Sequence, residues 1–86
     1  MIFYLDGEKM RGRQGVHEHI KEVLGLPEFY GKNLDALYDV LTELQGEVVI
    51  KNFHDMEENL GSYAGAVMKT FVDAAAANPE MKVRVE

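Results

Sequence analysis

The chain has 86 residues, with nine Lys and Arg against 15 Asp and Glu, a net charge of −6, and 47% hydrophobic residues. That length holds one small domain, expected to span residues 1–86. The absence of cysteine excludes disulfides and the cysteine-based zinc sites, so the core has to come from packing alone. No apolar run approaches the roughly 20 residues of a membrane helix. The N-terminus lacks the basic start and apolar stretch of a signal peptide, and the net acidity disfavours nucleic acid as a direct ligand. A cytoplasmic protein is the expectation.

In chain order, residues 2–5 form a short apolar run closed by the turn signal Asp6-Gly7, and predict a buried strand. Val16, Ile20, Val23 and Leu24 recur at helical spacing, with Gly25 placed to follow the helix and Pro27 to stop it. A connector over residues 26–32 sets Phe29 and Tyr30 between Pro27 and Gly31. Asn33 is a good N-cap. Leu34, Leu37, Leu41 and Leu44 make the apolar stripe of a helix running from Asn33 to Leu44, ended by Gly46. Residues 47–51 predict a second strand. The ambiguous stretch 53–60 is read as a short helix. Ser62 is a candidate N-cap for a helix with the stripe Ala64, Val67, Met68, Phe71 and Ala75, stopped by Asn78-Pro79. Alternation over residues 81–85 gives a last strand. The order β-α-α-β-α-α-β implies an α/β fold with a three-stranded parallel sheet and right-handed crossovers. The first strand, the most continuously apolar, is expected in the middle of that sheet.

The charge is unevenly spread. Residues 1–27 and 59–86 are each neutral, whereas residues 28–58 carry eight acids against only Lys32 and Lys51. Within that third, Asp35, Asp39 and Glu43 follow one another at i, i+4, i+8 beside the leucine stripe. Asp35 sits where the helix dipole favours a carboxylate. Asp39 has no such support: it is a poor helix former with like charges on either side and no base at i±3 or i±4. An acidic stripe of this kind is ordinarily a solvated face. Tyr38 at its border and Phe29 and Tyr30 just upstream point instead to a binding surface for a positively charged partner, since aromatic anchors beside desolvated charge typify interfaces.

Catalysis and metal binding find little support. His17-Glu18-His19 lacks the i, i+4 histidine spacing of a zinc-protease helix, and two residues two apart diverge on a helix. There is no cysteine nucleophile, only one serine (Ser62), and no phosphate-binding glycine loop. Carboxylates on an open helix face have no cleft to raise a pKa. No enzyme activity, cofactor or metal is therefore expected.

The stretch from Leu26 to Leu41, with its Pro27-Glu28-Phe29-Tyr30-Gly31 turn followed by Asn33-Leu34-Asp35-Ala36-Leu37-Tyr38-Asp39, closely resembles the barstar family, intracellular inhibitors of barnase-like ribonucleases. The element order matches that family's architecture as well. The resemblance implies that the second helix and the turn before it plug a nuclease active site. In that reading Asp39 takes the place of an RNA phosphate, Asp35 meets a base near the guanine-recognition region, and Phe29 packs on the catalytic histidine. Tyr30 and Gly31 belong to the turn, Asn33, Leu34, Tyr38 and Thr42 add surrounding contacts, and Glu43 closes the acidic stripe. Asp73, aligned through Phe71, supplies a further acid from the last long helix. Phe29 stands where the family often has Tyr, Tyr38 where Trp is frequent, and Leu44 where some members carry Trp. The expected function is an immunity protein against a basic extracellular ribonuclease, bound 1:1 and monomeric when free. The alternative is a non-inhibitory interaction module for another basic partner on the same scaffold.

Overall fold

In the computed structural model, which describes residues 1–86, the chain runs β1 (Ile2–Asp6), one turn of 3-10 helix (Gly7–Lys9), α1 (Gly12–Leu24), α2 (Leu34–Leu41), β2 (Gly46–Lys51), α3 (Phe53–Leu60), α4 (Ser62–Ala77) and β3 (Met81–Val85). The predicted order, including the short helix at 53–60, is the observed one. No helix is long and apolar enough to cross a membrane.

The sheet is parallel throughout, with Ile2 opposite Glu47 and Glu47 opposite Lys82. Its order is β1-β2-β3, which corrects the expectation that the first strand is central. In the middle strand Val48, Val49 and Ile50 are all fully buried. In β1 the alternate residues Ile2 and Tyr4 are half-exposed. A continuous apolar run suits an interior strand, but here two of its members lie on an open sheet face at an edge.

That open face follows from connectivity. Two right-handed crossovers that step the same way, β1 to β2 and β2 to β3, put every helix on one side of the sheet. Leu5, Val48, Ile50 and Met81 turn towards the helices and join Val16, Ile20, Leu37, Leu41, Val67 and Phe71 in the core. The other face carries Tyr4, Glu47, Lys51, Lys82, Arg84 and Glu86 and is dressed by its own ion pairs. Arg84 bonds Glu86 at 2.9 Å and Glu47 at 3.4 Å, and Lys51 reaches Glu86 at 3.5 Å. Val49 is buried on this helix-free face, flanked in register by Tyr4 and Arg84.

At the end of α1, Gly25 adopts the left-handed conformation (φ 66°), and the Leu26 N–H donates back to Lys21 O at 2.9 Å, a helix stop that needs glycine's freedom. The helix α2 starts as predicted, with Asn33 Oδ1 accepting from the Ala36 N–H at 2.7 Å. It ends earlier than predicted, at Leu41 rather than Leu44. Thr42 Oγ1 donates to Asp39 O at 2.8 Å, and the buried Asn78 amide donates to both Leu41 O and Leu44 O, at 2.9 and 2.8 Å. Asn78 follows the last residue of α4, so this one side chain ties the C-terminal ends of α2 and α4 together. Glu43 consequently lies in the turn after α2 and not on the helix itself.

Candidate protein-binding surface

Asp35, Tyr38 and Asp39 are exposed on the side of α2 away from Leu37 and Leu41, with Tyr38 37% accessible. Leu34 and Thr42 are partly covered, and Asn33 and Glu43 are exposed. Neither α2 nor α4 has a basic residue in its last turn. Both helices therefore bring the negative ends of their dipoles to the junction at Asn78 without a cation to offset them. Asp39 stands two residues before the end of α2, and Asp73 four before the end of α4, so both lie within about one turn of that junction, at 1.5 Å rise per residue. A carboxylate near a helix C-terminus works against helix stability. Two such ends side by side concentrate negative charge on one part of the surface.

The turn ahead of α2 is pinned to α1 at three points. Lys21 pairs with Glu28 at 3.1 Å, Lys32 pairs with Glu18, and a 2.8 Å hydrogen bond joins Tyr30 OH to His17 Nδ1. Lys32 takes a left-handed backbone conformation (φ 53°), strained for a lysine, and its ion pair with Glu18 holds that carboxyl below its usual range. A methyl at Gly31 would come 3.1 Å from Ala36 Cβ, so this glycine lets the turn lie against the first turn of α2. The outcome is a clear division between neighbouring aromatics. Phe29 projects into solvent, 88% exposed, while Tyr30 is buried with 6% exposure. Burial pushes the Tyr30 hydroxyl up to about 12. Tyr30 thus supports the surface from beneath instead of forming part of it.

Beneath the turn lies a connection that the sequence reading missed. His17, buried in α1, also bonds Tyr63 OH of α4 through Nε2 at 2.8 Å. One neutral imidazole can donate from one ring nitrogen and accept at the other, so this single side chain links turn, α1 and α4. His19 faces elsewhere and accepts the Asp6 N–H at 2.9 Å through Nε2. Desolvation lowers the pKa of both histidines. Each is committed to a structural hydrogen bond, and the two do not share a site. Their apolar spacing beside Val16 and Ile20 was the available clue to burial. Asp73 is exposed and accepts from Lys69 Nζ at 2.7 Å. The i, i+4 spacing of that pair was visible in the sequence.

The molecule is a small parallel α/β domain with exposed carboxylates along one helix and no cluster of side chains that could hold a metal ion. The chain belongs to the barstar family: the family model described as "Barstar (barnase inhibitor)" matches residues 1–86. It is also 36% identical over 86 residues to a protein of Bacillus subtilis (strain 168) named "Putative ribonuclease inhibitor YrdF", with 95% of this chain and 94% of that one covered. Members of this family are inhibitors, not enzymes.

Proposed function

We propose that this protein inhibits a basic, barnase-like microbial ribonuclease in a 1:1 complex, covering the enzyme's active site with the turn at Phe29 and the exposed side of α2. The carrying observation is the junction of α2 and α4, where Asp39 and Asp73 lie exposed near two helix C-termini with no base in either last turn. In the complex Asp39 stands in for an RNA phosphate among the enzyme's cationic groups, and Asp35 takes a base beside it. Phe29 buries its ring on the catalytic histidine. Asn33, Leu34, Tyr38, Thr42 and Glu43 fill in around these anchors, with Gly31 and Tyr30 fixing the turn. The domain of residues 1–86 acts as one unit in the producing cell's cytoplasm, shielding it from a nuclease made for export. A focused acidic patch steers a basic partner, an effect for which barnase and the family's type member are a reference case, so association slows as salt rises.

The test is a ribonuclease assay with purified barnase and three inhibitor forms. Asp39→Ala removes a desolvated interface charge and should weaken inhibition by at least about 30-fold, the equivalent of ~2 kcal/mol for an interface hot spot. Glu47→Ala alters the helix-free sheet face, where Glu47 is engaged with Arg84, and should leave inhibition within about twofold of the wild type, as for a surface change outside an interface. Equal effects from the two substitutions would sink the proposed mode of blocking. Tight binding that leaves RNA cleavage intact would favour the interaction-module alternative.

A further inference from the structure

Lys69 is the one lysine or arginine on α2, α3 or α4, and Lys69 and Asp73 are the only charged residues of α4. Its ammonium donates to Asp73 Oδ2 at 2.7 Å, and the bond and charge of that carboxylate raise the lysine's pKa. Both partners are open to solvent, Lys69 at 75% and Asp73 at 48%. An exposed i, i+4 pair stabilises its helix only slightly, and α4 is already a long helix anchored in the core by Val67, Phe71 and Ala74. The other cations lie elsewhere. Lys9, Arg11 and Arg13 sit at and before the start of α1; Lys21 and Lys32 serve the turn; Lys51, Lys82 and Arg84 occupy the sheet. A single lysine has been placed on the acidic side of the molecule, on the carboxylate that α4 contributes there.

We propose that Lys69 is a specificity-determining residue of the binding surface, acting as an internal counter-ion that a partner must displace to reach Asp73. This rests on the inhibitor reading above. A partner offering only diffuse positive charge meets an Asp73 already neutralised by Lys69, whose ammonium it must push aside, a repulsive element of the sort that separates right from wrong partners. The partner that fits presents an arginine, whose planar fork can take both oxygens of the carboxylate where the lysine takes one. It also presents an acidic group to receive the released ammonium. Discrimination among basic nucleases then comes from α4, while Asp39 supplies affinity that they share.

The experiment measures association rates and inhibition at low salt for the full chain against purified barnase, with wild type, Lys69→Ala, Lys82→Ala, Asp73→Asn and the Lys69→Ala/Asp73→Asn double variant. Lys82 is exposed on the helix-free sheet face, so its removal makes the same change in net charge away from the surface. The expected result is that Lys69→Ala associates roughly three to ten times faster than wild type, within the range that local charge gives to steered association. Lys82→Ala should change the rate less than about twofold, and Asp73→Asn should abolish the gain in the Lys69→Ala background. Equal rates for Lys69→Ala and Lys82→Ala overturn the inference, as does a gain that survives Asp73→Asn. If neither wild type nor Lys69→Ala binds, the inhibitor reading fails and takes this one with it. Wild-type binding that Lys69→Ala leaves unchanged defeats only the role of Lys69.

Discussion

Phe29 shows how little a residue's chemistry alone says about its job. It and Tyr30 are adjacent aromatics in one turn, yet one is 88% exposed and the other 6%. The difference lies with His17, thirteen residues before Tyr30, whose ring claims a tyrosine hydroxyl and has no use for a phenyl group. The Leu26–Leu41 motif made both aromatics visible in the sequence, but their division of labour depends on a contact between segments that no local pattern encodes. Phe29→Ala should leave stability within about 0.5 kcal/mol, as expected for an exposed position. The same change should weaken inhibition at least about tenfold, given the roughly 1.5–3 kcal/mol that burying a phenyl ring supplies. Thermal melts beside inhibition titrations separate the two, and a large loss of stability with unchanged inhibition would reverse the assignment. Asp39 stands out in the sequence for the opposite reason: it is a carboxylate with no benefit to its own helix, a conflict readable from spacing alone.

At the level of elements, α2 was placed correctly at its start and misjudged at its end. Asn33 caps locally, within three residues, so sequence reveals it. The stop at Leu41 is imposed by Asn78, 37 residues away, whose amide donates to the carbonyls of both Leu41 and Leu44. The leucine stripe runs on to Leu44 because Leu44 still packs against the core, outside the helix. Asn78→Ala should therefore cost about 1–3 kcal/mol, since it removes two side-chain hydrogen bonds that join α2 to α4. Denaturant unfolding gives the number, and a loss below about 0.5 kcal/mol, the level of an ordinary surface change, would mean that Asn78 is only a helix stop. Inhibition should fall as well, because the same side chain sets Asp39 and Asp73 at one junction. The order of strands was lost to the same kind of non-local effect. The apolar run of β1 and that of β2 look alike in the sequence, and only the crossovers decide which has neighbours on both sides.

For the molecule as a whole, two buried neutral histidines set an acid limit. Above about pH 6.5, the ordinary histidine value, His17 and His19 are uncharged in both folded and unfolded chains. Below it the unfolded chain takes up protons that the folded chain resists, because burial lowers both folded pKa values. Stability is thus full above that pH and falls as pH drops towards the folded values, by at most about 1.4 kcal/mol per pH unit for each histidine. Unfolding measured between pH 7.5 and 5 should show this loss. His19→Gln, which keeps an acceptor for the Asp6 N–H, should reduce the slope; a flat or rising profile in the wild type would contradict it. The one-sided placement of the helices has a practical consequence of its own. Since the sheet's outer face lies away from α2 and the chain has no cysteine, a lone thiol introduced at Lys82 would accept a dye, a bead or a sensor surface at one known point. Molecules tethered there would all stand with the acidic helix pointing into the solution, ready to capture whatever it recognises.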